Sequence, residues 1–380
     1  MRHDDQVAMI RELFAHIENG TQTYADSIHR NPISNYTSRE RLEREREVLF
    51  RKTPIMLGLA ARIREPGEYM VEDVAGREII AVRGKDGQVR AFQNVCRHRG
   101  APLAQGCGKT RRFTCPYHAW TYGLDGKLQV VPDSPSFEGL DKDTHGLVEV
   151  PAAERYGLLF VQAGGGEMDI DAHLAGIGRD MEPYGFENFH HYRSLTIRRA
   201  MNWKLSPETF MEGYHLQYLH SGTVGPIFFS NLMVCHTFGP HCRLVIPRRR
   251  VLELKGRPET EWNLVPETAM VYTFFPNVTF VVQAGHIEMW RAYPDGPDPA
   301  RCRVEVSVFT PQKVENEKAQ AYYEKNIDLA IRTVDGEDFP LSERIQAGHA
   351  AHAQDAVTYG RNEAGLIHYV RTLDAALAAA

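Results

Sequence analysis

The chain contains no apolar run approaching the roughly 20 residues that a membrane-spanning helix needs, and its start, Met1-Arg2-His3-Asp4-Asp5, is too polar for a secretory signal. These two absences lead us to expect a cytoplasmic protein with no membrane partner. A basic excess is also missing: 44 Lys and Arg stand against 49 Asp and Glu, a net charge of −5. That balance argues against nucleic acid as a partner. Nucleotide loops are absent too. The run Ala163-Gly164-Gly165-Gly166 lacks both the G-x-G-x-x-G spacing and the P-loop lysine and hydroxyl, and nothing else suggests a flavin or nicotinamide site. Electrons for any redox chemistry must then come from another protein. Cysteine is sparse, six in 380 residues, and without an exporting context we expect thiols rather than a disulfide framework.

What the chain does have is a dense stretch from Asn94 to Trp120. Cys96 and His98 form a Cys-x-His pair, and Cys115 and His118 form a Cys-x2-His pair with sixteen residues between the two. Two thiolates and two imidazoles are the ligand set of a Rieske [2Fe-2S] cluster, in which two histidines replace two cysteines on one iron. A structural zinc site accepts the same four donors. The company these residues keep, Gly100-Ala101-Pro102-Leu103 and Cys115-Pro116-Tyr117-His118-Ala119-Trp120, resembles Rieske proteins in detail. Cys107 lies inside the stretch but is not needed to complete the set, and Cys235, Cys242 and Cys302 read as small core or surface residues. Arg97, Arg99, Lys109, Arg111 and Arg112 make a positive rim that would steer an acidic redox partner.

A chain of 380 residues exceeds one ordinary core. Residues 1–55 read as helical and charged, with Met9, Ile10, Leu13, Phe14 and Ile17 at helical spacing. From about Gly67 the pattern turns to short strands. Glu78 to Arg83 and Val89 to Asn94 flank Gly84-Lys85-Asp86-Gly87, a hairpin that delivers the chain to Cys96. The glycine run at 163–166 is the best boundary. We therefore expect an N-terminal helical segment over 1–55, a cluster domain over 56–165 and a second domain over 166–380. In that second domain Ala269 to Thr310 holds several strands, Lys313 to Val334 reads as a helix, and Leu366, Ile367, Val370, Leu373 and Leu377 stripe a terminal helix.

The segment Trp203 to His220 reads as largely helical and carries a second metal pattern, His215 and His220. Five residues apart, they would point about 140° away from each other on an ideal helix. They can share an ion only if the helix distorts or ends between them, and Gly222 just beyond makes an ending plausible. Two imidazoles and one carboxylate make the facial triad of non-haem Fe(II) oxygenases. For the carboxylate, Asp335, Glu337 and Asp338 compete in one short run before Pro340. His349 and His352, spaced as helix neighbours, lack a nearby acid motif.

Taken together, the cluster stretch, the segment from Trp203 to His220 and the Glu337-Asp338 pair resemble the catalytic subunit of Rieske non-haem iron oxygenases, also called aromatic ring-hydroxylating oxygenases. The similarity runs from about Gly67 to Gln346. It implies an α+β fold: an all-β Rieske domain plus a catalytic domain whose antiparallel sheet wraps around helices, a helix-grip arrangement. By this family's pattern Cys96, His98, Cys115 and His118 bind the cluster, and His215, His220 and Asp338 bind one mononuclear Fe(II). The resemblance also implies O2 as co-substrate, electrons from NAD(P)H through a separate reductase with or without a ferredoxin, and a homotrimer in which Glu212 bridges the two metal sites across the subunit interface. The commoner family residue at 212 is aspartate; glutamate is similar to members acting on quaternary ammonium compounds such as carnitine or betaine. Thr209 stands where many members have asparagine.

Hydroxylation, dihydroxylation or oxidative demethylation of a small organic substrate would follow. Pro226, Ile227, Phe228, Phe229, Leu232, Met233, Phe275 and Trp290 are the apolar candidates for its pocket, and as a group they suggest a hydrophobic or aromatic substrate. A quaternary ammonium group lying against aromatic faces is the alternative. A Rieske electron carrier or redox sensor, which needs only the four cluster residues, is the rival reading of another class.

Overall fold

The computed structural model describes residues 1–174 and 176–380, and the chain divides into two compact units. One unit comprises residues 46–173 with 186–188; the other comprises 1–45, 174–185 and 189–380. The N-terminal helical stretch thus belongs with the second unit, and the first continues past the glycine run to His173.

The first unit is built of short antiparallel strands. Its five-stranded sheet runs in the order Glu149–Val150, Val89–Gln93, Arg77–Arg83, Glu68–Val74, Cys107–Lys109, and two three-stranded sheets complete it. Along Glu68–Val74 the period-two alternation buries Met70 and Val74. Glu72 falls on the same inward side and is satisfied there by Arg62. The anticipated hairpin forms, with Arg83 opposite Val89 across the Gly84–Gly87 turn. A core of Ile80, Val82, Phe92, Phe113, Trp120, Tyr122 and Leu128 packs directly against Cys96 and Cys115. Gly126 closes the next hairpin at φ +79°, and a Cβ there would meet the Phe92 ring at 2.4 Å. Only glycine meets both demands.

The second unit is organised on a seven-stranded antiparallel sheet in the order His190–Arg199, Cys302–Thr310, Ile287–Pro294, Val278–Val282, Thr268–Phe274, His241–Pro247, Val234–Phe238. Its central strands are buried along their whole length, which explains why they read as nearly continuous apolar runs. Helix Glu317–Thr333 starts at Asn316, whose side chain accepts the Ala319 N–H at 2.9 Å. Helix Phe339–Ala350 follows it after one π turn, and the terminal helix Ala364–Ala378 buries the expected stripe. Tyr322, on the Glu317–Thr333 helix, is exposed, at 53%. The α+β architecture implied by the sequence is the one the chain adopts, and among the described residues no helix is long and apolar enough to cross a membrane.

Candidate functional site

In the first unit the chain brings Cys96, His98, Cys115 and His118 to the tips of two neighbouring loops. The His98 and His118 rings lie 4.7 Å apart, and His98 stacks on Trp120 at 4.9 Å and 7°. Both cysteines are buried. The Nδ1 atoms of His98 and His118 are buried without a hydrogen-bond partner, a costly condition for a polar atom unless something is coordinated there. The Tyr122 hydroxyl is hydrogen-bonded to Cys96 Sγ at 3.3 Å and accepts the Arg97 N–H at 3.0 Å. Burial raises the Cys96 thiol above its ordinary pKa, against the lowering effect of the Tyr122 hydrogen bond. Two thiols and two imidazoles set side by side in this way are the donor set of a Rieske [2Fe-2S] cluster. Cys107 lies on an exposed strand away from the set, and all six cysteines are free thiols. Tyr117 is 59% exposed and packs on His118 at 3.8 Å, so the histidine side of the cluster loops opens to solvent. Arg97, Arg99, Lys109, Arg111 and Arg112 are all exposed around it.

In the second unit the Trp203 to His220 segment is not one helix, a correction to the sequence reading. Short helices occupy Leu205–Glu208 and Leu216–Leu219, and the chain between them turns. The cause is local. Between the two, the Glu212 side chain accepts the backbone N–H groups of Tyr214 and His215, which a continuous helix would give to carbonyls four residues back. The segment is anchored at its start, where Trp203 Nε1 donates to Glu45 at 2.8 Å and Lys204 pairs with the same carboxylate at 2.8 Å, all three residues fully buried. His215 and His220 now flank a single helical turn, their ring centres 5.0 Å apart.

The competition among the three acids resolves geometrically. Asp335 is held by Arg199 at 2.5 Å. Val334–Asp338 is a π turn, and its extra residue per turn lets two sequence neighbours approach one histidine from opposite sides. Glu337 accepts the His220 Nδ1 hydrogen at 2.5 Å and the Thr223 hydroxyl at 2.9 Å. Asp338 Oδ1 lies 3.1 Å from His220 Nε2 and 3.6 Å from His215 Nε2. His215 Nδ1 donates to Glu212. Both imidazoles therefore turn Nε2 to a common centre, with Nδ1 engaged behind. Among the described residues His215, His220 and Asp338 are the one group with donor atoms within 4.8 Å of one another. Burial raises the Asp338 carboxyl above its ordinary pKa. Burial lowers that of His220, but the hydrogen bonds to Asp338 and Glu337 outweigh it and leave it raised. A cation at the centre would favour the carboxylate and the neutral imidazole.

The centre opens into a cavity of about 210 Å³ between the sheet and helix Glu317–Thr333. Ile227 and Phe228 line it as expected, joined by Phe210, Ile246, Val271, Val281 and Leu329. Met233, Phe275 and Trp290 are core instead, Trp290 standing behind Phe210 at 5.4 Å; Pro226, Phe229 and Leu232 also lie off the wall. Polar lining comes from Thr209, Arg248, Gln283, His286, Glu288 and Asn326. Thr209 spends its hydroxyl hydrogen on the Ser206 carbonyl at 3.0 Å. The sheet residues were missed because a strand buried on both faces carries no alternation to show which side faces a cavity. Gly225 permits a tight fold beside the centre, since a Cβ would meet the Leu216 and His220 carbonyl oxygens at 2.5 and 2.7 Å. His349 is buried against Tyr36, and His352 is exposed; neither joins a metal group.

A family model described as the ring hydroxylating alpha subunit, catalytic domain, matches residues 186–379, just over half the chain. A second, for the Rieske [2Fe-2S] domain, matches residues 53–149. The chain belongs to the Rieske ring-hydroxylating oxygenase alpha-subunit family. The cofactors of this family are a Rieske [2Fe-2S] cluster and a mononuclear non-haem iron, and the two donor sets just described fit them. Among relatives, the carnitine monooxygenase oxygenase subunit of Acinetobacter baumannii is 33% identical over 190 residues, 49% of this chain and 51% of that one. The glycine betaine monooxygenase oxygenase subunit of Pseudomonas aeruginosa is 34% identical over 190 residues, 50% and 44%. The matches thus span about half the length of these relatives. A crystal structure of a quaternary ammonium Rieske monooxygenase with L-carnitine superposes with a TM-score of 0.79 at 21% identity, covering 92% of this chain and 96% of that one. At that identity the likeness is one of fold.

Proposed function

We propose that this Rieske alpha subunit is the terminal component of an oxygenase, with Cys96, His98, Cys115 and His118 holding the cluster and His215, His220 and Asp338 holding the iron. The observation that carries the proposal is the convergence of two Nε2 atoms and one carboxylate oxygen at a largely apolar cavity. An electron carrier has no use for that arrangement. When bound, iron held by this triad leaves positions open for dioxygen, and the cluster supplies single electrons.

The chain's own residues do the rest. Glu212 and Glu337 hold the Nδ1 protons of the two histidines, fixing the tautomer that presents Nε2. Phe210, Val271, Val281 and Leu329 give the cavity its apolar wall. The half-exposed edge of His118 is where electrons enter the first unit from a separate NAD(P)H-dependent reductase, directly or through a ferredoxin. Glu212 is the bridge by which a homotrimer would pass them from the cluster of one subunit to the iron of the next.

For the substrate we favour a small compound bearing a quaternary ammonium group, hydroxylated or demethylated in a monooxygenase reaction, over an aromatic ring. Glutamate at position 212 and the names of the relatives support this reading. The test is iron and acid-labile sulfide per chain on anaerobically purified protein, followed by oxygen uptake with reductase and carnitine, betaine or naphthalene. About three irons and two sulfides fit one cluster plus one triad iron. About two irons after Fe(II) reconstitution would leave only a carrier, and zinc without sulfide would remove the reading altogether.

A further inference from the structure

The cavity wall contains one cation whose charge the described residues leave unanswered. Arg248 follows directly on strand His241–Pro247, and its backbone N–H donates to the Glu267 carbonyl at 2.8 Å, which pins its position at the sheet edge. The guanidinium lies over the Phe228 ring at 5.6 Å and donates from Nη2 to Gln283 Oε1 at 2.9 Å. No carboxylate stands within ion-pair distance of it among the described residues. The nearest candidate, Glu267, is engaged by Arg250 at 2.8 Å. Arg248 Nε is buried and has no hydrogen-bond partner.

Arginine does not shed its proton in proteins, so burial cannot neutralise this group. An uncompensated cation beside Val271, Val281 and other apolar side chains is destabilising in the empty protein. Gln283 already accepts one hydrogen bond from Arg248 through its oxygen, and its amide nitrogen adds two N–H donors. Arg248 and Gln283 together therefore present mostly donors. A planar guanidinium fork flanked by an amide N–H matches a carboxylate in shape and charge. Lone cations such as choline would meet repulsion here.

We infer that Arg248, positioned by Gln283 and Phe228, is the specificity residue of this cavity and selects substrates that carry a carboxylate. The Glu288 carboxylate in the same wall is held by His286 at 3.1 Å and by Trp290 Nε1 at 3.3 Å, which leaves Arg248 as the unpaired charge that an anionic end of the substrate would meet. This inference rests on the reading of the cavity as a substrate site, and it deepens that reading by separating carboxylate-bearing compounds from alcohols of the same size.

The experiment is equilibrium binding to the intact, metal-loaded protein, with no reductase present, using two matched pairs: glycine betaine against choline, and benzoate against benzyl alcohol. Wild type is expected to favour the carboxylate in at least one pair by about 10- to 100-fold, the range of a charge-assisted hydrogen-bonded pair. Arg248→Met should abolish the preference, weakening the carboxylate member of each pair and, for choline, relieving the repulsion. Arg248→Lys, which keeps the charge but not the fork, should fall between and serves if the methionine variant does not fold. Circular dichroism and the visible absorption of the cluster check the fold of each. Absence of any carboxylate preference in wild type, its persistence in Arg248→Met, or equal weakening of both members of a pair would overturn the inference. Iron counted on the same samples separates the two readings: preference intact without triad iron sinks the oxygenase, and triad iron without preference sinks the role of Arg248.

Discussion

Glu337 is the residue whose replacement tests the iron centre most directly. Its Oε2 accepts both the His220 Nδ1 hydrogen at 2.5 Å and the Thr223 hydroxyl at 2.9 Å, and His220 is only 2% exposed, so water has little access to the imidazole once its acceptor is lost. Glu337→Gln keeps one oxygen but loses the charge, and a charge-assisted bond that becomes neutral loses about half its strength, roughly 1 kcal/mol. Fe(II) affinity should therefore fall by about fivefold. Glu337→Leu removes the acceptor entirely. The imidazole can then carry its proton on Nε2, the atom that must face the metal, and the loss should approach 100-fold, the upper range for partners behind a metal ligand. The assay is anaerobic Fe(II) competition against a chromogenic chelator, with cluster absorbance as an internal reference that should not change. An affinity within about twofold of wild type in both variants would refute the reasoning, because a solvent-excluded Nδ1–H cannot lose its acceptor without cost.

Glu212→Gln should retain both metals and slow reductase-coupled substrate oxidation by about 10- to 100-fold; a near-normal coupled rate would mean that Glu212 is no bridge. Tyr122→Phe removes a hydrogen bond to Cys96 Sγ, and since such bonds favour the reduced cluster, its potential should drop by about 40 mV for a bond of about 1 kcal/mol. Direct electrochemistry that finds no shift would place Cys96 outside the cluster. Glu208 is fully buried, and burial raises its carboxyl to about 7 against hydrogen bonds from Tyr36 and Tyr359. The folded chain thus holds this proton above the ordinary value of 4.5, where the unfolded chain has released it. Its contribution is full below about pH 4.5 and is lost as pH rises to about 7, on the order of 3 kcal/mol. Urea titrations across that window should show Glu208→Gln abolishing the slope; a slope equal to wild type would contradict the assignment.

Some of this protein is written locally in its sequence. The Cys-x-His and Cys-x2-His pairs, the hairpin before Cys96 and the spacing of His215 and His220 are visible because each depends on residues a few positions apart. The stripe of the terminal helix is equally plain, since 3.6-residue periodicity needs no partner to be seen. Compact folding decided what such spacing leaves open. Asp335, Glu337 and Asp338 are indistinguishable as acids in one run; a π turn and the position of Arg199 send each to a different partner. The helix expected through His215 fails because Glu212 captures two backbone N–H groups, a competition between side chain and helix that propensity does not rank. Arg248, Gln283 and Glu288 gather in one wall from separate strands and their ends. The sequence by itself determined the kinds of donor available and their local spacing. Only the tertiary structure decided which side chains meet, because cross-strand pairing and the packing of a helix over a sheet join residues far apart in the chain.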